Sequence, residues 1–440
     1  MDGLRFRIAF LTLFALGFAV EWILNALNRK EALRHQAAPP SPGVRAIDGG
    51  IPGAQVPGGF REVAGSFAKS REYTLERLSF DTFSLFCSAA ITVALLFSGV
   101  LPWLDRALLR ICGDGLNRGV FFLMAVIVIP SLLKLPLSLY STFRIEGKYG
   151  FNTMTWGLYW RDFIKEILVS LALGLPVLYA LLFFMRHAGA AWWLWAYGLF
   201  LVFQLVMMIF YPIFIAPLFN RFQPLEDGDL KAALLALAAR LRFPTADIYV
   251  MDGSRRSLHS NAYFTGLGKW RRIVLFDTLL RQMDGRELQS VLAHEIGHYK
   301  RKHIYKRMAA QVLILGGLLY LASVALRWPP LYAAFGFDPQ TIVNSPVGNP
   351  AVGLFLFITV FSSLSILFAP IQNLVSRRHE YEADAFAVQA MGSPEPMGSA
   401  LIKLSEKNLS NLTPHPWYSA FHYSHPTLRE RLKALGLSLT

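Results

Sequence analysis

Charge is scarce in this chain. Only 16% of its 440 residues are Asp, Glu, Lys or Arg, against about 25% in an ordinary soluble domain, so the composition does not fit a soluble multidomain enzyme. Cysteine is scarcer still, with Cys87 and Cys112 alone, which excludes a disulfide scaffold. Their spacing makes no metal-ligand pair; Cys87 reads as a core residue and Cys112 as a free thiol. The chain is 54% hydrophobic and 14% aromatic, which excludes intrinsic disorder and collagen. Its length suits about three soluble domains, or one polytopic membrane domain with a soluble insert.

Acidic residues are in deficit, 29 against 43 basic ones, for a formal net charge of +14. Such an excess fits nucleic-acid binding or a membrane protein with basic cytoplasmic loops. Hydropathy decides: the mean is +0.39, and seven stretches approach or exceed the ~20 apolar residues a bilayer requires. They are 8–27, 83–104, 119–140, 164–185, 190–218, 309–326 and 351–376. The first is too long for a cleaved signal and has no A-x-A site after it, so it reads as a retained helix. The basic residues lie in membrane-flanking loops without a recognition motif, which disfavours nucleic acid.

Seven crossings put the termini on opposite sides. One side carries only Arg5, Arg7, Arg106, Arg110, Arg118, Arg186 and Arg327; apart from the intramembrane Lys134 and Lys165, the other basic residues face the opposite way. The positive-inside rule makes that second side cytoplasmic. It does not separate a bacterial inner membrane from the endoplasmic reticulum. The expected organisation is a membrane domain over 1–218 with a flexible loop at 28–79, a soluble insert over 219–308, crossings six and seven over 309–376, and a cytoplasmic segment over 377–440. Within the loop, 36–60 is rich in Pro, Gly and Ala. The insert reads as a small α+β unit: a helix over 229–242, strands over 247–251, 258–265 and 271–276, and a helix over 284–300.

That last helix contains His294-Glu295-Ile296-Gly297-His298. The i, i+4 spacing puts both imidazoles on one face, able to hold one Zn²⁺, with Glu295 placed as general base toward a water. With 10 His in the chain, random placement gives about 0.01 such matches. A metzincin is excluded, because Arg301 and Ile304 occupy its glycine and third-histidine positions. His303, five residues beyond His298, falls off the shared face and reads as a surface or interface histidine. The third ligand is sought in Ser376-Arg377-Arg378-His379-Glu380-Tyr381-Glu382-Ala383-Asp384. There Glu380 and Asp384 share a face, so one can ligate while the other accepts a histidine ring N–H. Spacing alone also describes a charged helix face at a membrane exit.

Together these residues resemble the type I CAAX prenyl proteases, integral membrane zinc metalloproteases of gluzincin type. The resemblance covers about residues 60–435. It extends to Glu146-Gly147-Lys148-Tyr149-Gly150-Phe151-Asn152, Ile215-Ala216-Pro217-Leu218-Phe219-Asn220, Asp252-Gly253-Ser254-Arg255-Arg256-Ser257, His259-Ser260-Asn261-Ala262-Tyr263-Phe264 and Phe276-Asp277-Thr278-Leu279-Leu280. It implies Glu380 as the third ligand and Asp384 as the partner of a ligand histidine. Ser424-His425-Pro426-Thr427-Leu428-Arg429-Glu430-Arg431 is similar to the family segment near the metal, implying that His425 and Arg431 stabilise the oxyanion and orient Asp384 or the substrate carboxylate. Read without it, His425 starts a helix and Arg431 is a surface charge. Asn261, Ala262 and Tyr263 resemble the edge strand to which an extended substrate adds.

The implied fold is seven helices around a water-filled chamber. The implied reaction is hydrolysis near the C-terminus of prenylated C-x-x-x proteins, with the bilayer holding the lipid. No residue reads a prenyl group directly, so a broader membrane quality-control protease stays open. Glu21, Lys134, Lys165 and Glu166 lie within crossings and require protein or water partners. A seven-helix transporter or receptor would explain the hydropathy but not the metal constellation. A dead metal-binding scaffold would have no need of Glu295.

Overall fold

In lipid every backbone N–H and C=O needs an internal partner, so an apolar run of spanning length becomes a helix. The computed structural model describes residues 2–34, 44–46, 60–244, 247–265, 272–342 and 348–439. Among them six helices are long and apolar enough to span: Gly3–Arg34, Phe67–Phe97, Leu116–Tyr149, Trp156–His187, Gly189–Phe219 and His303–Ala325. The expected seventh crossing falls on a broken helix pair, Pro350–Ser362 and Ser365–Met391, bent by 61°, which makes seven spans if the pair crosses as one. The chain is therefore a polytopic helical membrane protein. Its lipid-facing side chains are large and apolar: Leu133, Leu168, Val202 and Leu313 are all exposed, as a bilayer solvent requires.

Two expectations change. The second crossing stops at Phe97 instead of 104, because Ser98 and a left-handed Gly99 (φ 79°) turn the chain into a separate helix, Val100–Cys112. The 28–79 segment is helical at both ends, since the first helix runs to Arg34 and the second begins at Phe60. At ~1.5 Å per residue that second helix is roughly 57 Å long and extends well beyond the bilayer core. Most of the 36–60 stretch lies outside the described residues, although Val44–Ala46 pairs antiparallel with Leu437–Leu439.

At one end of the bundle a cluster of charges is paired. Arg118 donates to both oxygens of Asp105 at 2.9 and 2.6 Å, Asn349 donates to Asp105 at 2.8 Å, and Arg186 reaches Asp114 at 2.6 Å. These bonds tie together the starts of three helices and the end of Trp156–His187.

At the other end sits a four-stranded sheet. Its order is Phe222–Pro224, Ile248–Met251, Arg272–Phe276, Ala262–Thr265; the central pair is parallel and both outer pairings are antiparallel. The expected strand at 258–265 begins only at Ala262, and Phe222–Pro224 is an additional strand too short to show a period. Ile248, Ile273 and Leu275 from the sheet meet Leu288, Leu292, Ala293 and Ile296 of helix Gly285–Lys300. Ala387, Met397, Ala400 and Leu401 belong to that same core. The C-terminal segment and the insert therefore pack as one unit.

Candidate metal centre and active site

Helix Gly285–Lys300, the HExxH helix, starts where Asp284 accepts from the backbone N–H groups of Arg286 and Glu287 while Glu287 bonds back to Asp284. This capping box fixes the rotation of the helix. Its buried face then packs on helix Ser365–Met391 at unusual proximity. A Cβ placed on Gly297 would lie 3.1 Å from Cα and 3.2 Å from the carbonyl oxygen of Ala383. Because Ala383 lies between Glu380 and Asp384, this contact brings both carboxylates against the histidines.

His294, His298 and Glu380 form the single group of three potential metal ligands among the described residues. His294 Nε2 and His298 Nε2 are 3.2 Å apart; Glu380 Oε2 lies 3.5 Å from the first and Oε1 lies 3.4 Å from the second. Tetrahedral ligands held ~2.0–2.1 Å from a metal are roughly 3.3 Å from one another. The three edges fit that figure, and two imidazoles with one carboxylate are a donor set that leaves a fourth position open.

The surroundings reinforce the fit. His294 Nδ1 donates to Asp384 Oδ1 at 2.8 Å, and Arg431 clamps Asp384 through Nε at 2.8 Å and Nη2 at 2.5 Å. Burial opposes charge on His294, but the hydrogen bonds to Asp384 and Glu380 outweigh it and push its pKa up to about 9. Burial also raises the pKa of Glu295, against the lowering influence of His294 and His298. Three carboxylates, Glu295, Glu380 and Asp384, converge on one guanidinium, an excess of acidic groups in a site where charge is costly. A divalent cation offsets them.

The C-terminal residues arrive through backbone anchors. Asn373 donates to the carbonyl of Phe421 at 2.7 Å, and Arg377 donates to those of Ser419 at 2.7 Å and Tyr423 at 3.2 Å. His425 is exposed, with Nε2 3.4 Å from Glu380 Oε1. Thr427 and Glu430 form a capping box that starts helix Leu428–Ala434 and aims Arg431 inward. Arg431 is thus a buried partner of Asp384, not the surface charge that spacing suggests. Ala262 and Tyr263 lie on the outermost strand of the sheet, next to the HExxH helix, paired with Leu275 and Val274, and Asn261 immediately precedes that strand.

His303 is the residue that helical spacing misplaces. It is 2% exposed, 3.0 Å from His298 Nδ1, 3.1 Å from Glu382 Oε2, and stacked on His379 at 4.0 Å. The HExxH helix ends at Lys300, and Lys302 at φ 58° reverses the chain, so the five-residue offset is not measured along one helix. Of the intramembrane ionisable residues, Glu21 meets His422 at 3.3 Å and Lys165 donates to the Leu218 carbonyl at 2.6 Å. Cys87 and Cys112 are unpaired thiols.

A membrane-embedded helical scaffold carrying two histidines, a carboxylate and an adjacent partly buried glutamate defines the class: an integral membrane metallopeptidase. Comparison with known proteins agrees. Residues 54–221 match the family described as CAAX prenyl protease N-terminal, five membrane helices, and residues 224–437 match peptidase family M48. The chain is 41% identical over 383 residues to the CAAX prenyl protease 1 homolog of Arabidopsis thaliana, covering 84% of this chain and 87% of the relative. It is 38% identical to CAAX prenyl protease 1 of Saccharomyces cerevisiae, with 84% and 85% covered. The crystal structure of S. mikatae Ste24p superposes with a TM-score of 0.85 at 32% identity, covering 98% of both chains. The chain belongs to the M48 CAAX prenyl protease family and is a membrane metalloendopeptidase.

Proposed function

We propose that this enzyme uses zinc to cleave prenylated C-x-x-x proteins near their C-terminus, from an active site facing the cytoplasm. The observation that carries the zinc reading is the triangle of His294, His298 and Glu380, whose edges of 3.2, 3.5 and 3.4 Å suit a tetrahedral ion. Zinc, when bound, acidifies water and polarises the scissile carbonyl. Glu295 takes the proton from the attacking water and passes it to the leaving amine. Asp384 holds His294 with its proton on Nδ1, so that Nε2 presents a lone pair. Arg431 spends Nε and Nη2 on Asp384, which favours its orienting role, and His425 is the donor nearer the developing oxyanion.

The peptide adds along Asn261, Ala262 and Tyr263, the free edge beside the HExxH helix. A cavity of about 430 Å³, bordered by Asn408, His422, His425 and Arg431, opens next to the triangle and suits the residues beyond the scissile bond. A second cavity, about 440 Å³ and bordered by Glu21, Phe14, Thr92 and Thr359, lies between the spans and supports a hydrated chamber. The prenylated substrate class comes from the names of the relatives. The positive-inside distribution supports the orientation.

The decisive assay compares a farnesylated C-x-x-x peptide with its unprenylated twin, using wild type and Glu295→Ala. Cleavage of the farnesylated peptide alone is expected. Equal cleavage of both would make the enzyme a broader membrane protease, and no cleavage of either by the zinc-loaded protein would overturn the substrate assignment.

A further inference from the structure

The two ligand histidines are supported differently. His294 leans directly on a carboxylate, Asp384. His298 Nδ1 meets another histidine ring, His303, at 3.0 Å, and no carboxylate among the described residues. We infer that His303 and Glu382 form a two-step relay that sets the tautomer and orientation of His298, making His303 a positioning residue for the metal. The inference rests on His298 being a ligand, as proposed above.

Proton placement follows from the geometry. To ligate through Nε2, His298 keeps its ring proton on Nδ1 and must donate it. Among the described residues the heavy atom bonded to that position is His303 Nδ1, which must then accept. An accepting Nδ1 puts the His303 proton on Nε2, and that nitrogen lies 3.1 Å from Glu382 Oε2, an acceptor. Arg378 in turn holds the other oxygen, Oε1, at 3.1 Å. Every donor therefore faces an acceptor only in the one arrangement that leaves His298 Nε2 free. His303 has little freedom to deviate, being buried and stacked parallel to His379 with 13° between the rings. The left-handed turn at Lys302, a conformation costly for a residue with a side chain, is what folds His303 back onto His298.

The test measures zinc affinity of the detergent-purified full chain by competition with a chromogenic chelator, with Co²⁺ absorption as a report on ligand geometry. The series is wild type, His298→Ala, His303→Ala, His303→Asn and Glu382→Ala. Asn places an acceptor oxygen where the His303 Nδ1 sits, so it restores the first bond without the ring. Expected are a roughly 10- to 100-fold affinity loss for His303→Ala, a smaller loss for Glu382→Ala, and substantial recovery in His303→Asn with a wild-type-like Co²⁺ spectrum. A merely structural role predicts no recovery by Asn, and that result overturns the relay. Wild-type affinity in His303→Ala, with His298→Ala defective, overturns it too. Wild-type affinity in His298→Ala overturns the ligand assignment beneath it.

Discussion

Two clusters of buried charge sit at opposite ends of this molecule, and they are built to different rules. In the first, Arg118 and Arg186 face Asp105 and Asp114, with Asn349 filling a remaining acceptor site. Charges cancel, and the cluster works as a latch between helices. In the second, Glu295, Glu380 and Asp384 face Arg431 alone, and two imidazole nitrogens point at each other across 3.2 Å. That cluster holds more carboxylates than cations. The difference separates a structural network from a binding site: one is satisfied by its own side chains, while the other is satisfied only with something added.

The comparison breaks most visibly on metal removal. Chelation should abolish peptidase activity and lower the thermal unfolding midpoint, by the equivalent of about 4 kcal/mol where free metal exceeds Kd a thousandfold. Re-added zinc should restore both; an unchanged midpoint after verified metal loss would mean the second cluster is self-sufficient after all. Next in size is Glu295→Gln, which removes one of the three negative charges yet leaves every ligand in place. Metal content should stay at one ion per chain while kcat falls about 10²- to 10⁴-fold, measured by peptide cleavage and atomic absorption on the same sample. Retained activity would move the general base elsewhere.

The latch is tested by Arg118→Ala. Removing one partner strands a buried carboxylate, so stability should drop by about 3–5 kcal/mol with zinc affinity unaltered in the folded fraction. A parallel loss of zinc affinity would show that the two ends are coupled. Smallest is Gly297→Ala, where the new methyl meets the Ala383 backbone at 3.1 Å. Overpacking there should cost about 1–3 kcal/mol and weaken metal binding by moving Glu380 away from the histidines. Unchanged zinc affinity would mean that the seam has more slack than its distances allow.

What could be read in advance follows the range of the signal. Crossings declare themselves through runs of about 20 apolar residues, and His294 and His298 through a spacing confined to one helix. Glu380 and Asp384 have their own i, i+4 signature but no local clue to which helix they meet; Gly297, whose missing side chain permits the contact, reveals its purpose only once Ala383 lies against it. His425 and Arg431 came from the family resemblance, since their approach depends on anchors such as Arg377 to Tyr423. His303 was misplaced because the HExxH helix was continued past Lys300, whereas the chain reverses at Lys302. The strand Phe222–Pro224 and the pairing of Val44–Ala46 with Leu437–Leu439 lie beyond periodicity altogether, one being three residues long and the other joining opposite ends of the sequence.

The seam at Gly297 and Ala383 also sets a schedule. His298 and Glu380 are separated in sequence by helix His303–Ala325 and most of the broken pair that begins at Pro350, so the proposed third ligand emerges from synthesis only after both of these membrane segments. Until both are inserted, the two histidines have no Glu380 carboxylate to meet. On the proposed assignment, a partly inserted chain lacks a complete ligand set, and assembly of the membrane domain acts as the licence for the active site.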